Sequence, residues 1–266
     1  MIHIVDALGQ PEPEVERGRC AFCSYQGKLT REHVWPERFN KIIKVSGKTE
    51  YLLGDIASAP RTWDAEAFST TVRIDCGNCN HHILRRIEDE AIIPFIAPML
   101  YGQSGAALHL TAQRKIAAFA LRMFAVSQYT HQRARPIPRH HREYLVTHRS
   151  PPPLAEVWVW RCVPETNDAI LPDIVCGSLR VSGKGERFSG RVNAYHGILR
   201  IAHLVIEMAA RTDGLAFPLL PVAPGAYLRI WPMQDFSRAW VWPPARTLTE
   251  ADYQARVRGC AESVIV

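Results

Sequence analysis

The sequence contains no long hydrophobic segment, no internal repeat and no tract of low complexity. No apolar run approaches the ~18–20 residues that a membrane-spanning helix needs. The longest apolar stretch, residues 197–210, is interrupted by Arg200, His203 and Glu207. The first residues lack a basic segment followed by an apolar one, so we expect no signal peptide. We therefore expect a cytoplasmic protein with no membrane partner.

The seven cysteines do not form the even set that a disulfide framework requires. Disulfides are also rare in a reducing cytosol. Four of the cysteines form two Cys-x-x-Cys pairs, Cys20–Cys23 and Cys76–Cys79, and each pair lies beside turn-forming residues. This pattern predicts a closed, structural zinc site with four thiolate ligands. The alternatives are unrelated free thiols or a redox pair, but the βαβ pattern that favours a redox pair is missing.

Acidic residues are scarce in one part of the chain. The net charge is +6, and residues 111–150 contain eight Lys or Arg but one acid, Glu143. The positive electrostatic field of such a segment favours a polyanionic partner, and Arg114 and Lys115 are candidates for phosphate contacts. The alternative is a solvated helix face.

The hydrophobic pattern predicts an α+β protein. Residues 28–36 and 68–75 resemble strands, and residues 80–93, 111–130 and 139–148 resemble helices, with Pro94 and Pro98 ending the first. After three prolines at 151–153, β-rich segments predict an antiparallel C-terminal region, although residues 198–208 fit a strand or a helix. We expect three parts: a metal-binding domain at 1–105, a basic helical segment at 106–150 and a β-rich accessory domain at 151–266.

A Glu32-His33 pair lies between the two cysteine pairs. A neutral imidazole suits a general base, and a carboxylate beside it suits a hard divalent ion. Neighbours on a strand point to opposite faces, so the pair must lie at a strand end, where Pro36 makes a bend reasonable. In the alternative, His33 is an ordinary hydrogen-bonded histidine and Glu32 pairs with Arg31 or Arg38.

Asn80 follows Cys79 at the expected start of a helix. Its side-chain oxygen could be a second ligand of the same ion, or the residue could cap the helix. The two roles are compatible. His82, two positions further on, is expected to contact phosphate.

In these residues the chain resembles the HNH endonucleases, specifically their zinc-containing ββα-metal branch. The matching segments are Cys20-Ala21-Phe22-Cys23, Leu29-Thr30-Arg31-Glu32-His33-Val34-Trp35-Pro36 and Cys76-Gly77-Asn78-Cys79-Asn80. The resemblance covers about residues 18–100. The family often has His where Asn80 stands, and its middle Asn has no clear counterpart here.

The resemblance implies a treble-clef-like nuclease domain that cleaves DNA and leaves 5′-phosphate and 3′-hydroxyl ends. His33 would be the general base, Glu32 and Asn80 would hold one catalytic Mg²⁺ or Mn²⁺, and the four cysteines would hold structural Zn²⁺. The candidate nucleic-acid contacts are Arg31, His82, Arg85, Arg114 and Lys115.

The same residues also fit functions other than a nuclease. The same frame could be a non-catalytic zinc module that binds nucleic acid or a protein, and RNA could replace DNA as the substrate. The tryptophan-rich region 151–266 could bind a protein partner or form a homodimer.

Overall fold

The chain forms a mixed α+β structure, as the sequence predicts. The computed structural model describes residues 2–7, 18–45, 48–55, 61–102, 105–130, 136–163, 165, 172–181, 194–212, 225–233, 239–262 and 264–265. The strands are β1 Ile2–Ala7, β2 Leu29–His33, β3 Lys48–Asp55, β4 Arg61–Glu66, β5 Thr71–Cys76, β6 Ala106–Leu108, β7 Glu156–Val163, β8 Asp173–Val181, β9 Ala194–Ile201, β10 Leu204–Arg211, β11 Tyr227–Trp231, β12 Trp240–Trp242, β13 Leu248–Thr249 and β14 Val264–Ile265. The α-helices are α1 Phe39–Ile42, α2 Arg85–Ala91, α3 Ala97–Leu100, α4 Leu110–Ser127, α5 Arg139–His148 and α6 Glu250–Glu262.

One large sheet organises the molecule, with the strand order β11-β7-β10-β9-β8-β1-β3-β4. Strands β7 to β11 pair in antiparallel fashion, whereas β1 runs parallel to both β3 and β8. The sheet therefore takes strands from both sides of the predicted boundaries at residues 105 and 150. Two of its strands, β3 and β4, come from the segment between residues 37 and 70.

Helix α4 packs on one face of this sheet and α6 packs on the other. Because both faces are covered, every residue of β9 and β10 is buried. The ambiguous segment 198–208 is thus a pair of strands joined at Ala202, which has a φ of 51°. A strand buried on both faces loses the alternation that distinguishes it from a helix.

Pro94 and Pro98 do not end the helix that follows the second cysteine pair, although the sequence predicts a break there. A π-type turn at Cys79–Leu84, α2, a second π-type turn at Ile92–Ile96 and α3 follow one another without a break. Pro94 lies in the second wide turn, and Pro98 lies in the first turn of α3. A π-type turn departs from the regular i to i−4 hydrogen-bond ladder, so it can accommodate residues that lack an N–H group.

The region of the candidate site is a small β-β-α unit packed against α4. Strands β2 and β5 pair in antiparallel fashion, and the helical segment from Cys79 follows β5 directly.

Among the described residues, no helix has the length and apolar character needed to cross a membrane.

Candidate metal centre and adjacent cleft

The four paired cysteines meet at one point. The Sγ atoms of Cys20, Cys23, Cys76 and Cys79 all lie within 4.8 Å of one another. A tetrahedral site with Zn–S bonds of about 2.3 Å separates its sulfurs by about 3.8 Å, so small side-chain adjustments close this cluster around an ion. The cluster can hold a metal such as zinc.

The chain turns tightly at the first pair to bring both thiols inward. The amide of Cys20 donates to the carbonyl of Tyr25 at 2.9 Å, and Gly27 donates to Gly18 at 2.8 Å. Gly18 has a φ of +83°, in the left-handed region that glycine adopts without a steric penalty. This turn presents Cys20 and Cys23 to the second pair.

The second pair lies where β5 ends and the helical segment begins. Cys76 is the last residue of β5, and Cys79 is the first residue of the π-type turn. The hydrogen bond from Cys79 lowers the pKa of the Cys20 thiol to about 4, with further donation from the Cys76 and Phe22 amides. A thiolate in this position is the form that binds a metal.

Two arginines of α5 hold the first cysteine turn from outside. Arg139 donates from Nη2 to the Cys23 carbonyl at 2.6 Å, and Arg142 donates from Nε to the Ala21 carbonyl at 2.9 Å. Arg142 is buried. These members of the basic region 111–150 therefore stabilise the main chain of the metal centre, contrary to the idea that this region as a whole faces phosphates.

A cleft of about 200 Å³ lies beside the cysteine cluster. Its walls are formed by residues of β2, of α1 and of the turn between them, by residues of the helical segment, and by one residue of α4. Its lining is Glu32, His33, Pro36, Glu37, Arg38, Lys41, Asn80, His81, Arg85, Glu88 and Arg122. The three predicted catalytic residues, His33, Glu32 and Asn80, are thus brought together.

The strand-end geometry makes this convergence feasible. His33 is the last residue of β2, and the pairing with β5 shifts register between Thr30 and Arg31. Such an irregularity redirects the side chains that follow it. Glu32 and His33 can therefore line the same cleft although they are neighbours on a strand.

Asn80 does not cap the helix, because its side chain reaches back to β2. Its Nδ2 donates to the Arg31 carbonyl at 2.9 Å and to Thr30 Oγ1 at 3.1 Å. A carbonyl can only accept, so the amide orientation is fixed. No described residue donates to Asn80 Oδ1, which leaves that oxygen available to a ligand.

Glu32 is not a free carboxylate. It is 5% exposed and forms an ion pair with the fully buried Arg122 of α4. The same Nη2 atom contacts Glu88 at 2.5 Å. The sequence suggests Arg31 or Arg38 as the partner of Glu32, but the ion pair is made by Arg122 instead. Arg38 pairs with Asp89 at 2.5 Å.

The buried charges beside the cleft are unequal. Burial, reinforced by the charge of Glu32, raises the pKa of Asp75 to about 8, and burial raises that of Glu88 to about 7. Among the described residues, Glu32, Glu88 and Asp75 share the single buried guanidinium of Arg122. At neutral pH these raised pKa values keep Asp75 mostly protonated and Glu88 partly so, and a cation bound nearby would favour the ionised forms of both.

The predicted nucleic-acid contacts are dispersed. Arg85 lines the cleft, while Arg31 and His82 are exposed outside its lining. Arg114 donates to the His148 carbonyl at 2.6 Å, and Lys115 lies 3.7 Å from Glu90.

Comparison with known proteins adds no relative. No protein-family model matches the chain, and comparisons with curated proteins and with solved structures found no match either. The HNH resemblance therefore remains a prediction from the residues quoted above.

Sequence reasoning missed Arg122, Glu88 and Asp75. One signal was available for Arg122, which is the only charged residue in the apolar stretch 116–127. A lone charge in a helix buried on all sides indicates a buried partner. The partner, 90 positions earlier in the chain, could not be read from the sequence.

Proposed function

We propose that the protein is a metal-dependent endonuclease of the HNH type that hydrolyses phosphodiester bonds in DNA. One observation carries the proposal: His33, Glu32 and Asn80 line a single cleft next to a four-cysteine cluster. Zinc on the four thiols would fasten the cysteine turn of residues 20–23 to the end of β5 and the start of the helical segment. It would hold the two walls of the cleft in place.

The residues present fit a second, hard divalent ion such as Mg²⁺ or Mn²⁺. Glu32 and Asn80 offer carboxylate and amide oxygens, which such ions prefer. When bound, the ion would neutralise charge on the phosphate and on the departing oxygen.

His33 would remove a proton from the attacking water as that water forms a bond to phosphorus. The bond from phosphorus to the 3′-oxygen breaks, and the 3′-oxygen leaves with a proton from solvent. The products are 5′-phosphate and 3′-hydroxyl ends. Arg85 and Lys41, at the cleft, offer positive charge to the neighbouring phosphates.

A second function is favoured by the ion pair between Glu32 and Arg122. A carboxylate already neutralised by a buried guanidinium can be a purely structural group. In that case the protein is a non-catalytic zinc module that binds nucleic acid or a protein partner.

A panel of substrates separates these functions. Zinc-loaded protein is incubated with supercoiled DNA, linear DNA or RNA, each with Mg²⁺, Mn²⁺ or a chelator. We expect nicks and double-strand breaks in DNA that require the added ion. Binding to DNA without cleavage under any of these conditions would favour the second function.

A further inference from the structure

Arg122 connects α4 to the catalytic edge of the cleft. Its Nη2 contacts Glu32 and Glu88 and donates to the His33 carbonyl at 2.8 Å, while its Nη1 donates to the Val34 carbonyl at 3.0 Å. The side chain has no solvent exposure. One guanidinium therefore holds the carboxylate of Glu32 and the main chain of His33, two of the three predicted catalytic residues.

Only the planar fork of arginine can make this set of contacts. A guanidinium presents five N–H groups in fixed directions, whereas an ammonium is a compact point charge with three donors. Arg122 uses two nitrogens to span the consecutive carbonyls of His33 and Val34. Lysine would keep the charge but lose this span.

Glu88 contacts the same Nη2 atom of Arg122 as Glu32 does. It belongs to α2, it is 9% exposed, and it lines the same cleft. Because two carboxylates share one Nη2 atom, Arg122 is held between them. Glu32 is neutralised less completely than it would be in an isolated pair, and it retains attraction for a cation in the cleft.

We infer that Arg122 is the positioning residue of this cleft: it fixes the Glu32 carboxylate and the His33 main chain in the arrangement that a divalent ion at Glu32 and Asn80 requires. The inference rests on the proposed function, and it assigns Arg122 no contact with substrate. Groups that orient metal ligands from behind are known to change metal affinity about 10- to 100-fold when they are replaced.

The test measures Mn²⁺ binding directly, from the electron paramagnetic resonance signal of free Mn²⁺ during titration of zinc-loaded protein. Arg122→Lys should weaken binding about tenfold. The control is Arg200→Lys, a buried arginine of β9 that also combines an ion pair, to Glu250, with a hydrogen bond to a main-chain carbonyl, that of Ala202, but lies outside the cleft lining. Its Mn²⁺ affinity should match that of the wild type.

A second variant covers the case in which Arg122→Lys does not fold. Glu88→Gln is nearly isosteric and leaves Glu32 as the one carboxylate that contacts Arg122 Nη2 among the described residues. Titrated at about pH 8, where Glu88 with its pKa of about 7 is mostly ionised in the wild type, the variant has a tighter Arg122–Glu32 pair and one negative charge fewer. Both changes oppose the ion, so we expect Mn²⁺ binding to weaken about threefold or more.

The outcomes are distinct. Wild-type Mn²⁺ affinity in Arg122→Lys or in Glu88→Gln would overturn the positioning role, and so would a wild-type protein that binds no Mn²⁺. If Mn²⁺ binds in an Arg122-dependent way but no substrate is cleaved, the positioning role stands and the nuclease proposal fails.

Discussion

At the scale of single residues, Asn80 shows how a predicted ligand can also be a brace. Its amide nitrogen joins the helical segment to the Arg31 carbonyl of β2, while its oxygen receives no hydrogen bond from the described residues. The bracing contact and the role of ligand use different atoms. Asn80 can therefore serve both.

Asn80→Asp should destabilise the fold. The new carboxylate cannot donate to the Arg31 carbonyl, and it also lies near Asp75, so we expect a loss of about 1–3 kcal/mol in the free energy of unfolding. Urea denaturation of the zinc-loaded protein at neutral pH measures this loss.

The matched control is Asn78→Asp, the same change two positions earlier. Asn78 is exposed and its side chain makes no capping hydrogen bond. An acid near a helix start is favourable, so this variant should be as stable as the wild type or slightly more so. Equal stability of the two variants would show that the Asn80 amide does not brace β2.

At the scale of elements, the cysteine cluster joins three pieces of chain that are short on their own. The turn at residues 20–23, the end of β5 and the start of the helical segment contribute its four sulfurs. Metal binding would supply folding energy to this unit directly, because the unfolded chain has no preformed site.

Cys76→Ser should release the metal and lower the melting temperature. We expect zinc content to fall from about one ion per chain to near zero, because three thiolates no longer close the tetrahedron. Metal analysis together with thermal unfolding measures both effects.

Cys162→Ser is the control for loss of a buried thiol. Cys162 belongs to β7, and its Sγ lies 3.5 Å from the Thr249 carbonyl, a contact that serine can keep. This variant should retain its zinc. Zinc retained by Cys76→Ser, or a stable protein after complete chelation, would contradict a structural role for the cluster.

Local pattern predicted some elements well and others poorly. The stripe from Ile116 to Ser127 indicated the core helix α4, because its apolar spacing needs no distant partner to be recognised. The segment 198–208 was ambiguous, because burial on both faces removes any period. Strand β1 is absent from the predicted elements, because its place between β3 and β8 depends on pairing with distant parts of the chain.

The candidate site was predicted only in part, for the same reason. Cysteine spacing and the Glu32-His33 pair indicated which residues converge: the structure gathers the four cysteines in one cluster and brings Glu32, His33 and Asn80 to one cleft. The buried partner of Glu32 comes from α4 and could not be inferred, because long-range ion pairs leave no local signature. The sequence indicated which side chains could bind a metal but not which of them are already neutralised.

At the scale of the whole molecule, the large sheet and the β-β-α unit that carries the cysteine cluster meet at α4. This helix packs on β8 to β11 and on α2, and its Arg122 reaches the cleft. The sheet therefore supports the geometry of the cleft through one helix. The position of that helix depends in part on its close packing against β9.

Gly197→Ala should disturb this contact. A Cβ at Gly197 would lie 2.7 Å from ring atoms of Phe124, which is fully buried in α4. Overpacking of this kind costs about 1–3 kcal/mol, and we expect that loss in the free energy of unfolding by urea.

Gly259→Ala is the matched control, since nothing lies within 4 Å of a Cβ added there and the position is within α6. It should gain up to about 1 kcal/mol from the higher helix propensity of alanine. A Gly197→Ala protein as stable as the wild type would show that α4 and β9 adjust freely.

The central claim is that the cleft beside the cysteine cluster cleaves phosphodiester bonds with His33 as the base. The most direct measurement is nicking of supercoiled plasmid by zinc-loaded protein with Mn²⁺, compared between the wild type, His33→Ala and His140→Ala, an exposed histidine of α5. We predict that His33→Ala lowers the rate at least about 100-fold with zinc content and melting temperature unchanged, while His140→Ala nicks at the wild-type rate. Equal nicking by wild type and His33→Ala would contradict the account.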